Sequence, residues 1–271
     1  DPFSCLTQDS SLFYLDPMPN LYFTRDPAAA ISDGLTINRM KMGARRRESL
    51  FIEYIYRYHP AFMRAGTRLF YDRTCADNLE GGDELVLSGK VFAIGCSQRT
   101  SAGAIKALAS KLLEQEVFER ILVFRIPECR AFMHLDTVFT MVDYDKFIVH
   151  PSMMGPLSVY EVTLGAKGAL KVRYIHKELD KVLCDALKVP AVDLIKCGDG
   201  DRIISGREQW NDGSNMLAIA PGKVISYERN YVSNRVMQEH GIEVTAIPSS
   251  ELSRGRGGPR CMSMPLDRDD P

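Results

Sequence analysis

The chain has 271 residues, 45% hydrophobic and 25% charged, a composition that fits one large globular domain or two small ones. Its formal net charge of -1 gives no electrostatic reason to expect a nucleic-acid or anionic-membrane partner. No segment approaches the ~20 apolar residues of a membrane span, and the first residues do not have the regions of a signal peptide. The seven cysteines include no Cys-x-x-Cys pair, so we expect a reduced, cytoplasmic protein without a disulfide framework or bound metal.

Strand-like and helix-like segments alternate along the chain. Turn residues at Ser88-Gly89 and Pro221-Gly222 predict two hairpins, while Thr100 or Ser101 and, later, Ser233 are candidate helix N-caps. In chain order we predict a hairpin over 84–95, a helix over 104–113, a strand over 121–126, a strand pair over 137–150, a helix over 176–187, a hairpin over 215–227 and a helix over 234–240 that Gly241 ends. The recurring unit is therefore a hairpin, a helix and a strand.

Polar motifs occur where these units begin. The intervals from Asp26 to Glu80 (80 − 26) and from Glu80 to His134 (134 − 80) are both 54 residues. A constant interval of this size predicts stacked or radially arranged repeats. A radial arrangement would bring one motif from each unit to a common centre, where distant residues form one site.

Cys261 lies in a segment crowded with glycine and arginine, Arg-Gly-Arg-Gly-Gly-Pro-Arg-Cys (254–261). Glycines let the backbone approach a ligand closely, and nearby arginines are expected to favour the thiolate, the nucleophilic form. One alternative is an inert, buried cysteine. Another is a short arginine–glycine tail that binds RNA, but the apolar residues at 262–266 disfavour it.

Four further residues suggest chemistry. We expect His134 and Asp136 to open a strand and share one face, an arrangement suited to acid–base catalysis and cation binding. Glu80, beside two glycines, could orient the histidine, and Asp26 follows a short aromatic segment. The alternatives are a solvated strand end and two ordinary turns. Carboxylates that face one pocket predict a cationic substrate, and a planar guanidinium fits them, so we infer thiol attack on a guanidinium carbon.

Five motifs together resemble those of the arginine deiminases in order and spacing, from Asn20 to the C-terminus. They are Phe-Thr-Arg-Asp (23–26), Glu-Gly-Gly-Asp (80–83), Met-His-Leu-Asp-Thr (133–137), Trp-Asn-Asp-Gly-Ser-Asn (210–215) and the Cys261 segment (254–263). The resemblance implies a five-fold pseudosymmetric α/β propeller of ββαβ units. Residues 1–271 would form one catalytic domain, the C-terminal part of a longer chain that carries the first unit and a helical insertion.

The resemblance also implies a reaction, in which a homo-oligomer converts L-arginine and water to L-citrulline and ammonia without a metal or other cofactor. Cys261 would attack the guanidinium carbon, while Asp26 and Asp136 hold the guanidinium nitrogens. His134 would protonate the leaving ammonia and then activate water, and Glu80 would orient His134.

Other residues match substrate-binding positions of the family. Arg45 and Arg99 match arginines that bind the substrate α-carboxylate, and three more residues match other pocket positions: Asn20, Phe23 and Arg256. Arg260 stands where the family often has histidine, so we expect an altered pH profile. The rival functions are agmatine deiminase, methylarginine hydrolase, amidino transfer to an amine, and a non-catalytic binding protein.

Overall fold

The computed structural model describes residues 13–127, 131–154 and 157–268. Its mixed α/β fold repeats one unit four times: an antiparallel hairpin, a helical segment, and a strand parallel to the second hairpin strand. The first unit comprises β1 (Ala28–Ile31), β2 (Gly34–Ile37), α1 (Glu48–Tyr58), α2 (Pro60–Ala65) and β3 (Arg68–Tyr71). The second comprises β4 (Glu84–Ser88), β5 (Val91–Cys96), α3 (Ala102–Glu114) and β6 (Arg120–Arg125).

The third unit contains an extra hairpin that extends the sheet of the second unit, with strand order β10-β9-β6-β5-β4. Its elements are β7 (Phe139–Met141), β8 (Lys146–Val149), β9 (Ser158–Leu164), β10 (Leu170–Ile175), α4 (Leu179–Leu187) and β11 (Asp193–Lys196). The fourth unit follows α5 (Arg202–Trp210) and comprises β12 (Leu217–Ala220), β13 (Lys223–Tyr227), α6 (Tyr231–Glu239) and β14 (Glu243–Ile247).

Local chemistry explains the second unit, whose elements the sequence predicted closely. The Ser101 hydroxyl accepts a hydrogen bond from the Ala104 amide and so caps α3. Leu108 and Leu112, one turn apart, are buried against Phe92 of β5. Each such buried side chain contributes roughly 1.5–3 kcal/mol relative to exposure, so this face of α3 fixes the helix on its sheet.

Two predicted helix starts were wrong. The helix at 176–187 begins only at Leu179, because strand β10 continues to Ile175. Ser233 lies inside α6 and does not cap it. Instead, the buried Glu208 carboxylate accepts hydrogen bonds from the Val232 and Ser233 amides, so a side chain from α5 satisfies the start of α6. Gly241, at φ 81°, follows the helix as predicted.

A carboxyl group in the core gives the fold a pH dependence. Glu84 accepts hydrogen bonds from the Thr36 hydroxyl and the Asn38 amide, and burial raises the pKa of Glu84 to about 8. Because the unfolded chain releases this proton near pH 4.5, the stability contributed by this group is present at low pH and falls as pH rises toward about 8.

We therefore expect Glu84→Gln, which keeps the shape and both contacts, to flatten the pH dependence of unfolding. The gain over wild type should be on the order of 1–3 kcal/mol larger at pH 8 than at pH 5, measured by urea denaturation. A gain that is equal at both pH values would contradict the assignment. Glu119→Gln, at an exposed glutamate, serves as the control.

None of the helices in the described part of the chain combines the length and apolarity that crossing a membrane requires.

Candidate active site

The predicted acid, base and carboxylate residues lie together, although three separate units supply them. Asp26, Glu80 and His134 lie two, four and five residues before the first strands of the first three units. One side-chain nitrogen or oxygen from each lies within 4.8 Å of those of the other two. The equal spacing of 54 residues in the sequence therefore corresponds to equivalent positions around one centre.

His134 is buried and charged. Its Nε2 lies 2.7 Å from Glu80 Oε2, and its Nδ1 lies 3.9 Å from Asp26 Oδ1. Burial opposes protonation, but the negative charge of Asp26 and the hydrogen bond with Glu80 outweigh it and raise the pKa of His134 to about 10. At neutral pH the ring is an imidazolium, which can donate a proton from Nδ1 while Glu80 holds Nε2.

The prediction that His134 and Asp136 share one face of a strand was wrong. His134 is extended and precedes a 3-10 turn, Leu135–Thr137, that contains Asp136, and strand β7 starts only at Phe139. The turn forms because the Leu135 amide donates to Asp83 Oδ1 at 2.8 Å and the Thr137 hydroxyl donates to the His134 carbonyl at 2.6 Å. A turn, and not strand alternation, thus brings both side chains to the site.

The two glycines after Glu80 are required for close packing. A Cβ on Gly82 would lie 2.7 Å from His134 Cγ, and one on Gly81 would clash with the Arg25 carbonyl. The Glu-Gly-Gly-Asp motif therefore does more than form a turn, because its backbone packs directly against the His134 ring.

We expect Gly82→Ala to displace the His134 ring and to reduce the chemical step by roughly 10²-fold, the effect of moving a catalytic group by about 1 Å. The pKa of His134, followed by NMR, should move toward its ordinary value as the contact with Glu80 weakens. Gly89→Ala, where a Cβ meets nothing within 4 Å, is the matched control. An active Gly82→Ala protein with an unchanged histidine pKa would contradict this role.

The two aspartates each present one oxygen without a hydrogen-bond partner. Asp26 Oδ2 pairs with Arg45 Nη1 at 2.6 Å, and Asp136 Oδ2 pairs with Arg260 Nη1 at 2.5 Å. The Oδ1 atoms of both aspartates are buried and accept no hydrogen bond from the described residues. Unsatisfied buried acceptors are costly, and a cationic ligand with several N–H donors would satisfy both.

Cys261 sits beside these carboxylates, and its backbone is held on both sides. The Cys261 amide donates to Asn215 Oδ1 at 3.1 Å, and its carbonyl accepts from the Arg25 amide at 3.1 Å. Burial and the charges of Asp136 and Asp26 raise the pKa of the Cys261 thiol well above its ordinary value, although Arg260 opposes them. The resting group is a thiol.

The prediction that neighbouring arginines favour the thiolate holds for Arg260, which lowers the pKa of Cys261, but burial and the nearby carboxylates outweigh it. Arg254 pairs with Glu251 on the surface, and Arg260 is paired with Asp136. The Arg256 guanidinium carbon lies 3.4 Å from the centre of the Trp210 ring. The carboxylates that face the sulfur outweigh the remaining positive charge.

The structure also places the predicted substrate-binding residues. Arg45 donates to Glu48 as well as to Asp26, so two carboxylates already engage it. Arg99 Nη1 lies 3.6 Å from Glu80 Oε2, and Arg99 Nε is buried without a hydrogen-bond partner among the described residues. Phe23 is buried against the Cys261 loop (residues 254–263). Asn20 is half-buried, and its backbone carbonyl accepts a hydrogen bond from the Phe23 amide. Binding of a substrate by these four residues and by Arg256 stays a prediction.

Asn215 links two parts of the site, and its role was not predicted from the sequence. Its Nδ2 donates to the Asp136 carbonyl at 3.2 Å while its Oδ1 accepts from the Cys261 amide. Its position at the end of the Trp-Asn-Asp-Gly-Ser-Asn motif was the available signal. In the same motif, burial raises the pKa of Asp212 to about 7 despite the charge of Arg256.

The cluster of Asp26, Glu80 and His134 is close enough to hold a metal ion by distance alone. Its chemistry does not fit one. His134 is protonated at neutral pH and so has no lone pair to offer, and each of the two carboxylates already lies within ion-pair distance of a guanidinium, Asp26 of Arg45 and Glu80 of Arg99.

Solved structures with a similar fold are enzymes that act on guanidino compounds. The N-terminal domain of ArgZ, an arginine dihydrolase of Cyanobacteria solved with its substrate, superposes with a TM-score of 0.66 at 15% identity, covering 93% of this chain and 78% of that one. A dimethylarginine dimethylaminohydrolase adduct with S-methyl-L-thiocitrulline gives 0.64 at 18% identity, covering 91% and 76%. At these identities the likeness establishes the fold alone.

Sequence comparison is more specific. The chain is 57% identical over 262 residues to the arginine deiminase of Latilactobacillus sakei subsp. sakei, covering 95% of this chain and 64% of that protein. It is also 57% identical over 270 residues to that of Bacillus thuringiensis subsp. konkukian, covering 98% and 66%. The chain thus spans slightly less than two thirds of these relatives. The sequence model named "Arginine deiminase" matches residues 4–268, and the chain therefore belongs to the arginine deiminase family.

Proposed function

We propose that this chain carries the active site of an arginine deiminase, which hydrolyses L-arginine to L-citrulline and ammonia through a covalent intermediate on Cys261. One observation carries the proposal. Two buried aspartates, each with one oxygen already paired and the other unsatisfied, lie beside a cysteine and a protonated histidine. A guanidinium supplies donors to both free oxygens, and its electrophilic carbon would then face the sulfur.

Substrate binding would itself prepare the nucleophile. The carboxylates that raise the pKa of Cys261 are the groups with which an incoming guanidinium pairs. Once that cation neutralises them, the thiol loses its proton more readily, and the thiolate forms next to its target. The proton leaves to solvent, so the site becomes reactive when a cation occupies it.

The chemical steps then follow from the positions of the side chains. Thiolate attack forms the S–C bond, and His134 donates its proton to the departing nitrogen. Ammonia then departs, and an S-alkylthiouronium remains on Cys261. The now neutral His134 takes a proton from water as the hydroxide attacks the same carbon. The C–S bond breaks, releasing citrulline and regenerating the thiolate, which regains a proton.

We also propose the architecture, assembly and cellular location that the resemblance implies. The four ββαβ units would be blades of an α/β propeller, with the site at their common axis. This arrangement is supported by Asp26, Glu80 and His134, which precede successive units and yet lie close together. We further propose a homo-oligomer that needs no cofactor. We also propose that the protein is cytoplasmic, in keeping with the free thiols of Cys75, Cys184, Cys197 and Cys261.

The direct test is product formation from L-arginine and from agmatine, assayed in this chain and, as a positive control, in the 57% identical arginine deiminase of Latilactobacillus sakei subsp. sakei. Citrulline from arginine, with no carbamoylputrescine from agmatine, is the expected result. Arg99→Met should lower kcat/KM for arginine by roughly 30-fold or more through loss of the α-carboxylate contact. If this chain forms no citrulline under conditions in which the relative does, the proposal is overturned, and turnover of agmatine would reassign the substrate.

A further inference from the structure

Arg25 contacts the Cys261 loop at three points. Its amide donates to the Cys261 carbonyl at 3.1 Å, its Nε donates to the Arg260 carbonyl at 3.2 Å, and its Nη2 donates to the Ser263 hydroxyl at 3.3 Å. Together these bonds bracket the cysteine on both sides along the chain. The Ser263 hydroxyl also donates to the Arg260 carbonyl, which closes the network.

This arrangement is costly for the folded protein. Arg25 is only 3% exposed, and within the described residues its guanidinium has no carboxylate within 4.0 Å. Burial and the nearby charge of Arg260 hold the pKa of Arg25 well below its ordinary value, and Arg268 adds to the repulsion. A buried cation with neutral partners weakens stability, so stability alone does not account for the residue.

The loop needs support from outside because its own backbone is irregular. Arg256 has a left-handed φ of 58°, and Gly257 and Gly258 pack without side chains against Phe23 and Asn215. Phe23 and Asn215 therefore hold one part of the loop. The segment that carries the sulfur is held by Asn215 at the Cys261 amide and by Arg25 at the Arg260 and Cys261 carbonyls. The neighbour of Arg25, Asp26, presents one of the two unsatisfied oxygens.

We infer that Arg25 is a positioning residue, which fixes the Cys261 loop so that the sulfur faces a guanidinium held by Asp26 and Asp136. Adjacent residues of one segment thus place both the nucleophile and one of the groups that hold its target. The inference rests on the proposed function, because that function supplies the ligand against which the sulfur is aligned.

Alkylation of Cys261 tests the alignment without requiring turnover. The probes are 2-chloroacetamidine, a cation that can pair with the carboxylates, and 2-chloroacetamide, its neutral counterpart with the same leaving group. Peptide mass spectrometry gives both rates at Cys261, and their ratio reports how the sulfur faces the paired ligand. We expect wild type to prefer the amidine and Arg25→Lys to lose much of that preference, up to roughly 10²-fold, because a single ammonium cannot span the carbonyl and the hydroxyl.

Two controls separate positioning from charge and packing. Arg268→Lys alters a neighbouring exposed arginine whose Nη1 donates to the Ala30 carbonyl instead of to the loop, and it should keep the wild-type ratio. Ser263→Ala removes one of the three contacts and should lower the ratio by less than Arg25→Lys does. Thermal melting establishes that each variant is folded before it is assayed.

The outcomes are distinct. A wild-type protein that does not prefer the amidine would overturn the proposed guanidinium pocket, and the inference with it. A wild-type preference that persists in Arg25→Lys, or that falls equally in Arg268→Lys, would overturn the role of Arg25 alone. If Arg25→Lys does not fold, Ser263→Ala decides, because an unchanged ratio there contradicts the positioning role.

Discussion

Replacing Cys261 by serine should abolish citrulline formation, with kcat falling by at least about 10⁴-fold. The loss is large because a hydroxyl needs a base, and His134, the residue proposed for the proton transfers, holds its own proton up to about pH 10. A thiol can be ionised by the bound cation, whereas an alcohol cannot to a useful extent. Rates of citrulline release at saturating arginine give the measurement.

Arginine should still bind to this variant, since both aspartates and their paired arginines remain. Calorimetric titration checks that point. Cys184→Ser, at a half-buried cysteine of α4, should leave kcat within experimental error of wild type. A Cys261→Ser protein with a kcat within tenfold of wild type would remove the cysteine from the mechanism.

Asp26→Asn should change two measurements in opposite directions. Loss of the negative charge removes an anchor for the guanidinium, so kcat/KM for arginine should fall by roughly 10²–10³-fold. The same loss removes one of the charges that raise the pKa of Cys261. Neutral 2-chloroacetamide should therefore alkylate Cys261 faster at pH 7, on the order of tenfold for each unit by which the pKa falls.

A general loosening of the site would not produce this pattern. Arg45 retains Glu48 as a partner in Asp26→Asn, so the substitution does not leave a buried cation without a carboxylate. Asp33→Asn, which breaks an exposed pair with Arg68, is the control and should change neither rate. Alkylation that slows along with deimination would mean that Asp26 acts by holding the structure.

Elements with strong local signals were predictable from the sequence. Ser88-Gly89 and Pro221-Gly222 mark turns whose flanking strands formed as expected, and the Ser101 cap placed α3 to within two residues. Helix α1 was not predicted, because its aromatic and β-branched residues have strand propensity and five of its seven apolar side chains stay exposed. Its helical state is set by packing against the first sheet, where Ile52 and Tyr56 pack against the cluster of Ala28, Leu35 and Ile37.

In the candidate site, too, some features could be predicted from the sequence and others could not. Spacing along the chain indicated which residues meet, because equal intervals place them at equivalent points of repeated units. The partners of each carboxylate were beyond such reasoning, since Arg45 and Arg260 approach Asp26 and Asp136 from positions 19 and 124 residues away. The protonation state of Cys261 could not be predicted for the same reason: it depends on which charges face the sulfur in three dimensions.

A buried thiol that stays protonated until a cation arrives has a consequence for oxidative damage. Peroxides convert cysteine to sulfenic acid through the thiolate, so exposure and thiolate character set the rate. Cys261 has little of either before a ligand binds. The reactive form would arise only while the pocket is occupied, when the ligand itself covers the sulfur. Between turnovers, therefore, the enzyme should withstand concentrations of peroxide that would inactivate an enzyme with a pre-ionised cysteine.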